Sequence, residues 1–168
     1  MAFSIYDASV PVFRQVLKSL EGLLDKAEAH AGEKGVDVTT LLNASLAPDM
    51  FNFIRQVQIA TDHAKGATAR LGGVEIPRFE DTEKTVADLR GRIRKTLDFI
   101  ATVSPEQFAG AEDRAIRLVF PWATYDFNGQ RYLTYWALPN FFFHATTAYD
   151  ILRARGVQIG KADFLGAQ

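Results

Sequence analysis

The chain has 168 residues, of which 48% are hydrophobic and 23% are charged, and its formal net charge is −1. This length and composition are typical of one globular domain, so we predict a single domain over residues 1–168. The near-neutral charge gives no support for nucleic-acid binding, and the absence of cysteine excludes disulfides, thiolate metal ligands and cysteine nucleophiles.

The sequence also lacks the patterns of several cellular locations and chemistries. Residues 1–13 have no basic region followed by an apolar core, and no hydrophobic run approaches the length of a membrane span. We therefore expect a cytoplasmic protein without a membrane partner. Phosphate-binding glycine loops and the serine nucleophile elbow are also missing.

Hydrophobic residues recur at helical spacing in four long segments. Pro11 suits a first helical turn, the prolines at 48 and 139 stand near two further starts, and glycines follow three of the four segments. A basic run at 89–95 lies in the third segment and is interpreted as a solvated helix face, because acidic residues flank it. The predicted helices cover residues 9–35 (ending at Gly32 or Gly35), 47–73, 80–103 and 139–156.

Shorter elements are predicted between these helices. Residues 36–46 could form one or two helical turns, and Ser104 with Gln107 predicts a capping box at 104–108. In the segment 114–133 the hydrophobic period changes to alternation, which is typical of strands. Pro121 interrupts the first run, and Asn128–Gly129 predicts a tight turn. We expect a small β-hairpin or two short extended arms there.

Four long helices with this excursion before the fourth predict an all-α fold, a four-helix bundle. The final segment, 160–166, is expected to pack Phe164 and Leu165 onto the bundle. The aromatic residues of the excursion either pack or close one end of the bundle as a pocket wall. They are Trp122, Tyr125, Phe127, Tyr132 and Trp136.

The last helix carries the segment "LPNFFFHATTAYDI" (138–151), in which Asn140 and His144 are four residues apart. This spacing places both on neighbouring turns of one side, as two metal ligands would be. His144 lies on the apolar face and Asn140 on its flank. Two interpretations stay open: a core histidine bonded to a hydroxyl or carbonyl, or a metal ligand that needs donors from other helices.

The second helix offers candidates for those further donors. Asp62 and His63 follow Gln56 and Gln58 by one to two turns. His63 falls on the flank of the hydrophobic stripe, and Asp62 lies further toward the polar side. Either could face the interior, because a helix in a bundle contacts two neighbours.

Phe142 and Phe143 point away from the centre of the hydrophobic stripe of the last helix. Two large apolar rings in such positions are expected to pack against another element or another subunit. We therefore predict a homodimer that associates through the last helix.

Three segments resemble an uncharacterised bacterial family within the DinB/YfiT-like superfamily of proposed metalloenzymes. They are residues 41–73 ("LLNASLAPDMFNFIRQVQIATDHAKGATARLGG"), 79–83 ("FEDTE") and 138–166 ("LPNFFFHATTAYDILRARGVQIGKADFLG"). The resemblance covers nearly the whole chain and implies an up-down-down-up four-helix bundle that is often dimeric. It also implies a divalent metal held by one histidine of the second long helix and a His-x-x-x-His pair of the last. Several members of the superfamily act as thiol-dependent transferases or isomerases.

This sequence departs from that metal motif. The pair on the last helix corresponds to Asn140 and His144, so its first histidine is an asparagine. On the second helix the motif position falls on Asp62 or Gln58, one step from His63. Asp62, Asn140 and His144 could make a site for manganese, nickel, iron or zinc, or a polar cluster without metal, with Gln58, Trp122, Tyr125 and Trp136 lining a pocket.

Two functions therefore remain open. The first is a small-ligand-binding or structural homodimer with a degenerate metal site. The alternative is a divalent-metal-dependent thiol transferase or isomerase that acts on a small electrophile.

Overall fold

The structure, a computed structural model, describes residues 4–166 and is mostly helical with one small sheet. A 3₁₀ turn spans Pro105–Phe108 and a π-helical turn spans Leu133–Ala137. The other elements are α1 (Val10–Lys34), α2 (Thr39–Leu42), α3 (Phe53–Gly72), α4 (Val86–Ala101), β1 (Ala115–Phe120), β2 (Ala123–Asn128), α5 (Gly129–Tyr132), α6 (Leu138–Ala154) and α7 (Lys161–Leu165).

The four long helices pack on one another around a common hydrophobic core. α3 contacts α6, α4 and α1, and α1 also contacts α4 and α6. Phe13 of α1 meets Phe141 of α6 edge to face, with ring centroids 4.9 Å apart, and both are fully buried. The order in which the four helices run up and down stays a prediction.

Capping residues, rather than the hydrophobic pattern, determine where the long helices begin and end. α1 ends at Lys34, and Gly35, one of the two predicted stops, caps it with φ at +63°. α3 begins at Phe53 rather than at 47–49, because the Asn52 side chain accepts a hydrogen bond from the amide of Arg55 at 3.0 Å. α4 begins at Val86 because Thr85 and Asp88 form a capping box at its start. The helix therefore starts later than residue 80, where it was predicted to begin.

The predicted β-hairpin is present, but its turn is not where the sequence pattern placed it. β1 and β2 pair antiparallel, and the residues that join them are Pro121 and Trp122. The tight turn predicted at Asn128–Gly129 is wrong. Asn128 caps α5, with its side chain accepting from the amide of Arg131 at 3.0 Å, and a Cβ on Gly129 would overlap the carbonyl oxygen of Ala111.

The C-terminal helix α7 packs on α1, as predicted for this segment. Phe164 contacts Tyr149 edge to face at 6.0 Å, whereas Leu165 remains 46% exposed. The backbone carbonyl of Leu165 accepts a hydrogen bond from the side chain of Gln15 at 2.7 Å. Across residues 4–166, no helix has both the length and the apolar character needed to cross a membrane.

Candidate functional site

Two histidines from different helices meet at the interface of α3 and α6. The ring of His63 lies 5.8 Å from the ring of His144, measured between centroids, and the two planes differ by 14°. Both residues are partly buried. The sequence pattern placed His144 on the apolar face of its helix and His63 on a flank, and the structure brings the two together.

Gln56 fixes which nitrogen of His144 carries the proton. The Gln56 side-chain nitrogen donates to the carbonyl of Phe51 at 3.2 Å, so its Oε1 faces Nδ1 of His144 at 2.7 Å. Because an amide oxygen only accepts hydrogen bonds, Nδ1 must be the donor. Nε2 of His144 is therefore left with a free lone pair, the arrangement of a histidine that binds a metal or accepts a proton.

Both imidazoles are neutral near pH 7. The pKa of His63 is lowered to about 4, mainly by burial and then by the His144 ring and Arg70, against the opposing effect of Asp62. Burial, followed by the charge of Arg55, also lowers the pKa of His144 to about 4. The pair can thus offer lone pairs to a ligand at physiological pH.

Asn140 lies one turn before His144 on α6. The π-helical turn that precedes α6 runs into Pro139, which has no amide proton for an intrahelical bond. The Asn140 side-chain nitrogen donates to the carbonyl of Trp136 at 2.7 Å. This bond fixes the amide so that Oδ1 is the atom left to accept or to ligate.

The carboxylate of Asp62 is engaged away from the two histidines. Its Oδ1 accepts from Lys65 at 2.8 Å and from Arg92 at 3.0 Å. Two cations therefore already compete with a metal for this carboxylate. Gln58 is likewise occupied, since its side chain donates to Glu83 at 2.8 Å.

An ion-pair cluster around the buried Arg92, formed with Asp62, Asp81 and Glu83, was not predicted from the sequence. The Arg92 side chain is 1% exposed and lies 2.9 Å from Asp81 and 3.1 Å from Glu83. The interpretation of 89–95 as a solvated face is correct for Arg94, which is 70% exposed, and wrong for Arg92. The signal was available, because position 92 falls on the buried side of the helix with Leu89 three residues earlier.

The aromatic side chains of the hairpin pack together next to the start of α6. Tyr125 and Trp136 have ring centroids 5.0 Å apart, and Trp136 also contacts Phe120 and Phe127. Trp122 stacks on Phe120 at 5.2 Å but is 75% exposed. Gln58, which was predicted to line the same pocket, contacts Arg55 and Glu83, and its place in a pocket stays a prediction.

Comparison with known proteins identifies the family. The model of a domain of unknown function, DUF1993, matches residues 5–165. The chain belongs to the DUF1993 family. The crystal structure of a DinB family member protein from Shewanella denitrificans is similar to this one, with a TM-score of 0.91 and 46% sequence identity, and the match covers 98% of this chain and 93% of that chain. No curated protein matches. The resemblance to an uncharacterised DinB-like family is thereby confirmed.

The resemblance to the DinB/YfiT-like superfamily leads us to expect a metal, and the residues present test that expectation. Within residues 4–166 no three histidine, aspartate or glutamate side chains are grouped so that they could share an ion. A further protein donor would have to be an uncharged group, and Asn140, one turn before His144 on α6, offers an amide oxygen. Two imidazoles can share one ion when their centroids are within roughly 6 Å, since metal–nitrogen bonds are about 2.0–2.1 Å long. The separation of 5.8 Å between His63 and His144 satisfies that limit, but the rings are stacked with planes 14° apart, so they would have to turn for both lone pairs to reach one ion.

Proposed function

We propose that this protein holds a divalent transition-metal ion between His63 and His144 and uses the ion to bind a small molecule. The observation that carries the proposal is the proximity of two neutral imidazoles from different helices, one of them held in a single tautomer by Gln56. Asn140 is the third donor, in place of the histidine that the superfamily motif has there. The site is thus a degenerate form of the DinB metal site.

The donor set favours some ions over others. Imidazole nitrogen suits nickel, zinc and iron, whereas manganese prefers oxygen donors. An ion held by three protein donors keeps open positions, at which it would polarise a bound small molecule or lower the pKa of bound water. The remaining roles belong to the protein: Gln56 orients His144, and the bond from Asn140 to the Trp136 carbonyl orients the amide oxygen.

Metal content tests the proposal directly. Protein made without a histidine tag and incubated with manganese, nickel, iron or zinc should retain one ion per chain after desalting. His63→Ala and His144→Ala should lose it, and Gln56→Leu should weaken it about 10–100-fold, as loss of a contact that orients a ligand does. Elemental analysis and competition with a chromogenic chelator provide the measurements.

Two variants serve as controls. His30→Ala removes the remaining histidine, which lies near the end of α1, and should leave the metal content unchanged. Asp62→Asn should also retain the ion, because its carboxylate pairs with Lys65 and Arg92. Wild-type protein that retains none of the four ions would refute the metal proposal and leave a metal-free polar pocket. Metal loss in Asp62→Asn but not in His63→Ala would restore Asp62 as the ligand.

We also propose that two copies associate through α6. Phe142 and Phe143 are 37% and 57% exposed on this helix, as the sequence pattern predicted. The double substitution Phe142→Ser/Phe143→Ser should convert a dimer into a monomer in sedimentation velocity. Leu165→Ser, at an exposed leucine of α7, is the matched control and should not change the oligomeric state. A monomeric wild type would end this proposal. The thiol transferase or isomerase activity stays a prediction.

A further inference from the structure

Gly66 stands in the middle of α3, where glycine is costly. A glycine in a helix interior is about 0.8–1.0 kcal/mol less favourable than alanine. A Cβ at position 66 would lie 2.6 Å from Nη1 of Arg70, and Arg70 is the only side chain of residues 4–166 that it would meet within 4 Å. The absent side chain therefore makes room for one group, the guanidinium of Arg70.

Arg70 is folded back along α3 toward the histidine pair. It follows Gly66 by one turn and His63 by two, so all three lie on the same side of the helix. Its charge is close enough to contribute to the lowered pKa of His63. On its other side the guanidinium lies 5.9 Å from the ring centroid of Tyr132, whose hydroxyl is 3.4 Å from Nη1.

The guanidinium of Arg70 has few partners within the protein. Among residues 4–166 no carboxylate lies within ion-pair distance of it, and its hydrogen bonds reduce to the long contact with Tyr132. By contrast, Arg92 is surrounded by three carboxylates, and Arg55 pairs with Asp81. A partly buried guanidinium has five N–H donors, and leaving most of them unused is unfavourable unless a ligand or solvent satisfies them.

We propose that Arg70 binds the carboxylate or phosphate group of the small molecule that occupies the His63–His144 site. This inference rests on the proposed binding of a small molecule there. A guanidinium fork matches both kinds of oxyanion. A metal ion and Arg70 would place positive charge in one site, and the carboxylate of Asp62, which acts on His63, is already paired with Arg92 and Lys65. A bound anion compensates that charge, whereas a neutral molecule does not.

Calorimetric titration with acetate and with inorganic phosphate, at constant ionic strength, tests the proposal. The titrations use chelator-treated protein and, separately, metal-loaded protein. Wild type should bind at least one of the two anions saturably, and Arg70→Gln should weaken that binding about tenfold or more, as loss of a charged hydrogen-bond donor does. The anion that binds more tightly distinguishes a carboxylate ligand from a phosphate ligand.

Gly66→Ala makes the test independent of stability and of net charge. The substitution retains Arg70 but displaces its guanidinium, so anion binding should weaken while the melting temperature holds or rises. Arg131→Gln is the matched control, because Arg131 also lies over a tyrosine ring, that of Tyr135 at 5.8 Å, but is exposed. This control should bind anions as wild type does.

The outcomes separate this inference from the metal proposal. The role of Arg70 would be overturned if neither the chelator-treated nor the metal-loaded protein binds an anion. It would also be overturned if Arg70→Gln binds anions as wild type does, even if the metal is present. Arg70-dependent binding by chelator-treated protein would support it even if no ion is retained. Equal weakening in Arg131→Gln would reduce the effect to general surface charge.

Discussion

Replacement of Arg92 by methionine is expected to lower the free energy of unfolding by about 3 kcal/mol, because it leaves the buried carboxylate of Glu83 without a charged partner, whereas Asp62 and Asp81 keep Lys65 and Arg55. The Arg92 side chain is 1% exposed and donates to Asp62 at 3.0 Å, to Glu83 at 3.1 Å and to the hydroxyl of Thr61 at 2.7 Å. Glu83 is the most affected partner. Its side chain is only 10% exposed and would retain only the neutral amide of Gln58 as a donor.

Urea denaturation of matched variants measures this effect. Arg94→Met, on the same helix, removes a 70% exposed arginine paired with Glu21 and should cost no more than about 1 kcal/mol. Adding Glu83→Gln to Arg92→Met should cost less than the sum of the two single changes, because the two side chains interact directly. If Arg92→Met and Arg94→Met were equally stable, the Arg92 cluster would not contribute to folding as inferred.

The Arg92 cluster also explains how residues 74–85 are held without regular secondary structure. Asp81 and Glu83 of this segment pair with Arg92 of α4, and Phe79 lies between two lysines. The ammonium groups of Lys65 and Lys95 are 4.2 and 4.1 Å from the Phe79 ring centroid. The sequence pattern predicted that the third helix begins within this segment, at residue 80. Hydrophobic periodicity could not show that Asp81 and Glu83 instead bind the side chain of Arg92.

The positions of the long helices could be predicted because each helix buries one hydrophobic face, which the sequence shows as a periodic pattern. The apolar stripes of α1, α3, α4 and α6 each recur at helical spacing, and each packs against another helix in the structure. The hairpin turn could not be predicted in the same way. Asn-Gly suits both a tight turn and the start of a helix, and the close approach of Gly129 to Ala111, which are distant in sequence, decides between them.

The candidate site was predictable on α6 and ambiguous on α3. Asn140 and His144 share one side of a helix by their spacing alone. Adjacent residues on a helix are about 100° apart, so Asp62 and His63 face different neighbours. Asp62 faces Arg92 of α4 and His63 faces His144 of α6. Which of the two residues points to α6 depends on how α3 is rotated about its axis. The hydrophobic pattern of one helix shows which broad face is buried, but it does not give the rotation accurately enough to separate adjacent residues.

Acidification of the metal-free protein should reduce its stability between pH 6.5 and pH 4. The pKa of His63 falls from 6.5 to about 4 on folding, mainly through burial, so the unfolded chain binds a proton more tightly than the folded one. The corresponding stability is complete above pH 6.5 and is lost as the pH falls toward 4. For His63 the loss amounts to about 2–4 kcal/mol at 1.36 kcal/mol for each pKa unit. His144 is more exposed to solvent and adds less.

Urea denaturation at several pH values, with a chelator present, compares wild type with His63→Gln/His144→Gln. The double variant should be less sensitive to pH in this interval, because it lacks both buried imidazoles, whereas His30→Gln should follow wild type. Carboxylates shared by all three proteins contribute equally and cancel in the comparison. Equal slopes in wild type and the double variant would mean that the two rings accept protons in the folded protein as freely as in the unfolded chain. The site would then be positively charged at mildly acidic pH, and metal binding would weaken at a higher pH than two neutral imidazoles allow.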